Sequence, residues 1–127
     1  MPFVQDNSSY PYILRSASAH SAQINTLTVH VSFLLTPQKW IQEWRPSKVE
    51  ELQPNDFDPV LALKPDVVLL ATGQVHEYPS AQIQAICLTR GIGLEIMSNS
   101  AAARTFTVLA AEQRQVVLAM LLPGISM

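Results

Sequence analysis

The chain has 127 residues, 48% of them hydrophobic and 14% charged, with a formal net charge of −2. That length fits one ordinary domain and is too short for two. A mean hydropathy of +0.16 excludes a disordered chain, and eight Lys and Arg against ten Asp and Glu exclude a basic nucleic-acid footprint.

The lone cysteine, Cys87, allows no internal disulfide, so nothing points to oxidative stapling. Met1-Pro2-Phe3-Val4-Gln5-Asp6 lacks the basic and apolar regions of a secretory signal. The longest strictly apolar run, Val116 to Leu122, is seven residues, far below the roughly 18–20 that cross a bilayer. The expectation is a cytoplasmic protein without membrane insertion. Asn7-Ser8-Ser9 matches a glycosylation sequon, which means nothing without secretion.

Residues 1–9 are polar and unpatterned and read as a flexible tail, leaving 10–124 as a single domain. From Tyr12 the apolar residues recur with a period near two. Leu27 to Phe33 alternates strictly, which predicts one strand with Leu27, Val29, Val31 and Phe33 on one face. Pro37 ends it. Trp40, Ile41 and Trp44 fall at i, i+1 and i+4, which predicts a helical turn tucking the indoles against the sheet. Asn55 or Asp56 is placed to cap a short helix through Val60–Leu63, with Pro59 in its first turn.

The second half is more legible. Asp66 to Ala71 is a continuous apolar strand, expected to be buried on both faces. Pro79 and Ser80 open a helix that turns Ile83, Ile86 and Cys87 inward and stops at Gly91. Ile92 to Met97 is a strand, Ser98-Asn99-Ser100 offers caps for a helix to about Ala111, and Val116 to Leu122 is another buried strand. The order strand, helix, strand, helix, strand gives the α/β class. The whole reads as one three-layer domain: a central mixed β-sheet with helices packed on it and an N-terminal antiparallel β portion.

No complete catalytic set is present. The chain has no GxxxxGK[ST] loop and no GxSxG elbow, and Gly91-Ile92-Gly93 precedes a strand where a dinucleotide fingerprint would follow one. His20, His30 and His76 lie on three separate segments without metal-ligand spacing. Cys87 reads as a buried, inert thiol. Neither a catalytic residue, a metal ligand nor a cofactor is therefore assigned.

Two places stand out. Thr72-Gly73, with the loop to Tyr78, lies at the carboxyl end of a buried strand, where open α/β sheets bind ligands. Ser98-Asn99 begins a helix after another strand, where free N–H groups attract anions. If the two strands are parallel neighbours, both loops face one crevice, and Arg104 adds a positive charge. Glu112 and Arg114, at the far end of that helix, are placed to form an ion pair or to hold the loop into the last strand. The plainer alternative has Ser98 and Asn99 as caps and the charges solvated.

Three stretches carry a family resemblance: Lys64-Pro65-Asp66-Val67-Val68-Leu69-Leu70-Ala71-Thr72-Gly73, then Gly91 to Met97, then Ala101 to Phe106 through Leu109 to Arg114 with the apolar strand after it. In that order and spacing they resemble the small Mth-type α/β domain. The family includes a mitochondrial assembly factor of NADH:ubiquinone oxidoreductase (respiratory complex I) and the adipogenesis-associated Mth-domain protein. Departures from the family pattern are Ala71 for glycine, Ser98-Asn99 for Asp-Thr, Thr107 for asparagine and Gln113 for glycine.

The resemblance implies a three-layer fold and a non-enzymatic interaction or assembly factor. Its partners would be proteins, respiratory-complex assembly components among them, with a homodimer compatible with the role; within the sequence Trp40 and Trp44 would suit a contact surface if exposed, but read first as core or half-buried residues. The alternative is a small-molecule or anion-binding domain, with or without catalysis, that uses the crevice near Thr72-Gly73 and Ser98-Asn99.

Overall fold

A strand that is apolar on both faces must be covered on both, and 67–71 and 116–122 are two such strands. The computed structural model, which describes residues 11–125, solves this with three layers; the expected tail at 1–9 lies outside the described residues. The central sheet has five strands in the order β5-β4-β8-β6-β7: Trp40–Ile41, Val31–Leu35, Val116–Pro123, Val67–Ala71 and Gly93–Met97. β6 runs parallel to both β7 and β8, and β4 runs antiparallel to β8, so the sheet is mixed as expected.

The two faces separate residue by residue. Val67, Leu69, Ala71, Val116, Leu118, Met120 and Leu122 enter one core; Val68, Leu70, Val117, Ala119 and Leu121 enter the other. Each fully buried Val or Leu contributes about 1.5–3 kcal/mol, so these alternating sets supply most of the drive to form the sheet. The first core is closed by helix α3 (Asn99–Ala111), through Ala102, Ala103 and Phe106, and by a small antiparallel sheet of β1 (Leu14–Ala17), β2 (Ala22–Ile24) and β3 (Leu27–Val29). The second is closed by α1 (Asp58–Ala62), α2 (Ala81–Leu88) and the turns at 49–57.

Crossover direction explains the split. From β6 the chain passes through α2 to β7 on one side; from β7 it returns through α3 past β6 to β8. Crossovers of one hand that run in opposite directions put their helices on opposite faces.

The expected strand 27–33 is two strands, β3 and β4, in two sheets. The chain changes sheets at His30, whose carbonyl accepts from Gly124 N at 2.9 Å. The alternation breaks there for one step: Val31 is 42% exposed and Ser32 is buried, while Phe33 returns to the core that holds Val29; Leu27, also on the expected inner face, is 53% exposed. The register opposite β4 also slips, from Val31↔Pro123 to Phe33↔Met120. The Ser32 hydroxyl repairs the slip by accepting from Leu122 N at 2.8 Å and donating to Leu122 O at 3.2 Å.

The helical turn expected at Trp40–Trp44 is also corrected. Trp40 and Ile41 form β5, paired to Leu35 and Leu34 across a turn in which the Thr36 hydroxyl accepts from Lys39 N at 2.9 Å. The indoles themselves are tucked in as expected: Trp44 is buried, donating from Nε1 to Asp56 O at 2.8 Å and meeting Phe57 edge-on. Trp40 is half-buried against Tyr12, ring centroids 5.9 Å apart. Asp56 anchors this region by accepting from Arg45 Nε and Nη2 at 2.8 and 2.7 Å and from Gln53 N at 2.8 Å.

The Arg45 guanidinium holds the Asp56 carboxyl below its ordinary range, outweighing the opposing effect of burial. A depressed carboxyl stabilises the fold above its unfolded pKa of about 3.9 and loses that contribution as pH falls through the lower folded value. Urea unfolding below about pH 4 should therefore show a stability loss in the wild type that is smaller in Asp56→Asn. Equal pH slopes would refute it.

A second expectation comes from the helix ends. α2 stops with Ile92 N on Cys87 O and Gly91 N on Leu88 O, around a Gly91 at φ +71°. α3 stops identically, with Arg114 N on Leu109 O and Gln113 N on Ala110 O, but around Gln113 at φ +62°. A side chain there is strained by about 1–2 kcal/mol, against an entropic cost of glycine of about 0.5–1. Gln113→Gly is expected to raise stability by up to about 1 kcal/mol, read as a higher urea midpoint at unchanged slope.

Candidate functional site

β6 and β7 are parallel neighbours in register, Ala71 opposite Met97, so the chain leaves both strands at the same edge of the sheet. The loops that follow meet directly. Thr72 N donates to Met97 O at 3.0 Å and Asn99 N to Gly73 O at 2.8 Å. Gly73 N returns a bond to Asn99 Oδ1 at 2.8 Å. Thr72, Gly73, Ser98 and Asn99 are thus brought together.

Their polar groups are turned to one another and to the fold. The Thr72 hydroxyl donates to Val75 O at 2.8 Å and accepts from Glu77 N at 2.9 Å, which folds the 74–77 loop back on itself. Ser98 caps α3 by accepting from Ala101 N at 3.3 Å. Asn99 is fully buried, and its Nδ2 donates to Ser18 O at 2.9 Å and to Leu121 O at 3.1 Å. One amide therefore joins the loop after β6, the turn after β1, the end of β8 and the start of α3. Toward solvent this loop turns two large apolar side chains, Val75 and Tyr78, each 65% exposed, beside the exposed Gln74, His76 and Glu77, and His76 meets Tyr78 edge-on at 5.6 Å.

Arg104 is exposed, one turn into α3, and lines a groove of about 360 Å³ between α3 and β1, together with Arg15, Ser16, Ser100 and Thr107. Glu112 and Arg114 lie beyond the other end of α3, about 20 Å along the helix from Ser98 at 1.5 Å per residue. Both are exposed, and the ion pair considered for them is not formed. Among the described residues the one salt bridge joins Arg45 and Asp56. Backbone bonds do the holding instead, Arg114 N to Leu109 O and Val116 N to Arg114 O.

Arg15 and Ser16 escaped the sequence reading because they precede the legible half of the chain. Their signal was an arginine inside an otherwise β-patterned run. Cys87 faces the second core, where burial pushes its thiol pKa up, against a smaller lowering by Arg90. His20, His30 and His76 are exposed, and no group of three or more His, Cys, Asp or Glu residues that could hold a metal occurs among the described residues. No helix among them is long and apolar enough to cross a membrane.

A family profile described as a protein of unknown function (DUF498/DUF598) matches residues 14–121. No curated protein matches the chain. Among solved structures, a protein of Xanthomonas campestris is 46% identical over 100% of this chain and 96% of its own, with a TM-score of 0.86. A Bordetella parapertussis protein is 24% identical over 87% of this chain and 95% of its own, with a TM-score of 0.80. A Bordetella pertussis protein, titled a Mth938-like domain, is 21% identical over 91% of this chain and 89% of its own, with a TM-score of 0.76. The last two share the fold.

The burial of Asn99 sets a sharp expectation. Asn99→Ala leaves Gly73 N, Ser18 O and Leu121 O without that partner, and each unsatisfied buried group costs about 1–3 kcal/mol. Asn99→Asp is expected to be worse at pH 7, because a carboxylate would face two carbonyls. Those surroundings raise its folded pKa, so its stability should recover as pH falls toward 5, unlike that of Asn99→Ala. Chemical denaturation of both variants at pH 5 and 7 measures this; parallel behaviour would contradict the geometry.

Proposed function

The chain belongs to the DUF498/DUF598 family, and for this member we propose a non-enzymatic interaction role of the assembly-factor kind. The observation that carries it is the loop after β6. Thr72 holds that loop in a folded-back shape with Val75 and Tyr78 each 65% exposed. An apolar pair on a held loop binds a protein surface at low entropic cost, because the loop is ordered beforehand. Tyrosine is among the residues most enriched at interface hot spots.

Thr72, Gly73, Ser98 and Asn99 then act as the scaffold of a contact site, and Arg104, Glu112 and Arg114 as polar residues at its margins and along α3. The resemblance to a respiratory complex I assembly factor supports a partner in the assembly of a respiratory complex. It does so at the level of the family, since the eukaryotic member's task need not be this chain's.

The test is cross-linked affinity purification of the full chain from its native cells, comparing wild type, Val75→Ser/Tyr78→Ser and Arg104→Glu/Arg114→Glu, each shown to be folded. A defined partner recovered with wild type and reduced about tenfold by the loop variant, as expected for loss of a Tyr-centred contact, supports the reading. Respiratory-complex subunits among the proteins recovered would carry the family's role to this chain. Equal recovery with the loop variant, or self-association alone, would remove it.

A further inference from the structure

We propose that the groove between β1 and α3 is a second, separate binding site that takes an extended acidic peptide as an added β-strand. It goes beyond the loop contact and does not depend on it. Among the described residues β1 has one strand neighbour, β2, and no described strand pairs with its other edge. All four residues of β1, Leu14 to Ala17, line the groove. The pairing of β1 with β2 slips between Leu14 and Ser16, and a groove that touches all four residues in a row follows the strand's edge, the side on which a further strand would add. α3 forms the other wall. An edge strand beside a helix is the geometry in which extended peptides add to sheets.

The charge selects the partner. Arg15 and Arg104 line the groove without a carboxylate among its lining residues, and Ser16 and Ser100 supply hydroxyls, that of Thr107 donating to Ala103 O at 3.1 Å. Arg15 is pinned to the hairpin by donating from Nε to Asn25 O at 3.0 Å. Arg104 is in no ion pair among the described residues. Guanidinium–carboxylate bonds are the strong ones, so a strand carrying Asp or Glu is favoured. A second copy of this chain pairing edge to edge through β1 would instead bring Arg15 and Arg104 toward their own counterparts, and like charges oppose it.

The groove also sets spacing. Leu14 and Thr107 line a neighbouring apolar pocket of about 170 Å³ that runs on to Tyr12, Pro37 and Phe106. β1 spans about 14 Å at roughly 3.4 Å per residue, so the carboxylates should lie within about two to four residues of one large apolar side chain. The ligand class is therefore an extended segment with clustered acidic residues and a nearby aromatic or leucine anchor.

The probe is a fluorescein-labelled decapeptide with a glutamate-valine-glutamate-valine run followed by phenylalanine, titrated into the full chain by anisotropy. Its partners in the test are the same peptide with lysines for glutamates and a version N-methylated along the backbone. Saturable binding of the acidic peptide, about tenfold weaker to Arg104→Glu, is expected, as are weakening by salt and loss on N-methylation. Amide shifts should fall on 12–17 and 100–107. Both arginines are exposed, so the variants should fold, and thermal melts with Arg104→Gln as a milder change verify it.

Binding of the lysine peptide as strong as that of the acidic one, or shifts away from β1 and α3, would overturn the proposal. So would full binding of the N-methylated peptide with displacement by inorganic phosphate, which would make the groove an anion pocket. Val75→Ser/Tyr78→Ser should leave peptide binding unchanged, so failure here and failure of the loop contact are told apart.

Discussion

Two strands with no polar side chain on either face, β6 and β8, leave this protein one way to fold. Each exposes a full apolar row above and below, and neither row can stay in water. Everything else is arranged around covering them: α3 and a small antiparallel sheet on one side, α1, α2 and the turns at 49–57 on the other. The opposite directions of the two crossovers deliver one helix to each side. The same parallel pairing brings the chain out of β6 and β7 at a single edge, and so creates the meeting point of Thr72-Gly73 with Ser98-Asn99.

At that edge the chemistry is conserved within the fold and little of it is spent outward. Asn99 satisfies a loop N–H and two carbonyls with one amide, Thr72 ties its own loop, and Ser98 caps its own helix. A ligand crevice needs polar groups aimed at solvent. Here those of Thr72, Ser98 and Asn99 are aimed at backbone, and the loop turns Val75 and Tyr78 outward beside Gln74, His76 and Glu77. Two exposed arginines, Arg15 and Arg104, sit around the corner between β1 and α3. The fold thus separates a clamped loop that carries Val75 and Tyr78 from a groove lined by two arginines.

The sequence read well wherever one local signal agreed with the tertiary outcome. Continuous apolar runs became doubly buried strands, and Ser80, Ser98 and Gly91 marked helix ends that formed where expected. It read poorly where pairing partners far along the chain decided. Leu27 to Phe33 alternates perfectly, but partners on β2 and on β8 pull its halves into different sheets. Trp40, Ile41 and Trp44 have helical spacing, but β4 offers Trp40 and Ile41 an edge to pair with. At the site, the sequence places both loops after strands, and the parallel pairing of β6 with β7 is what brings them together. The sequence could not reveal that Asn99 points inward, since a cap box and a buried amide clamp look alike in one dimension.

The position of β8 has a consequence for how the protein comes into being. It is the last of the described strands in the chain, yet it lies in the middle of the sheet, between β4 and β6. During synthesis the sheet therefore has no centre until residues 116–123 emerge from the ribosome. Until then β4 and β6 have no common neighbour, and their apolar faces stay open to wrong pairing. Closing β4 onto β8 joins Ser32 to Leu122, 90 residues apart, a contact of long loop-closure entropy that slows folding. The centre of the sheet is thus completed by the last described strand, so the two halves that it joins wait on a segment made after both of them.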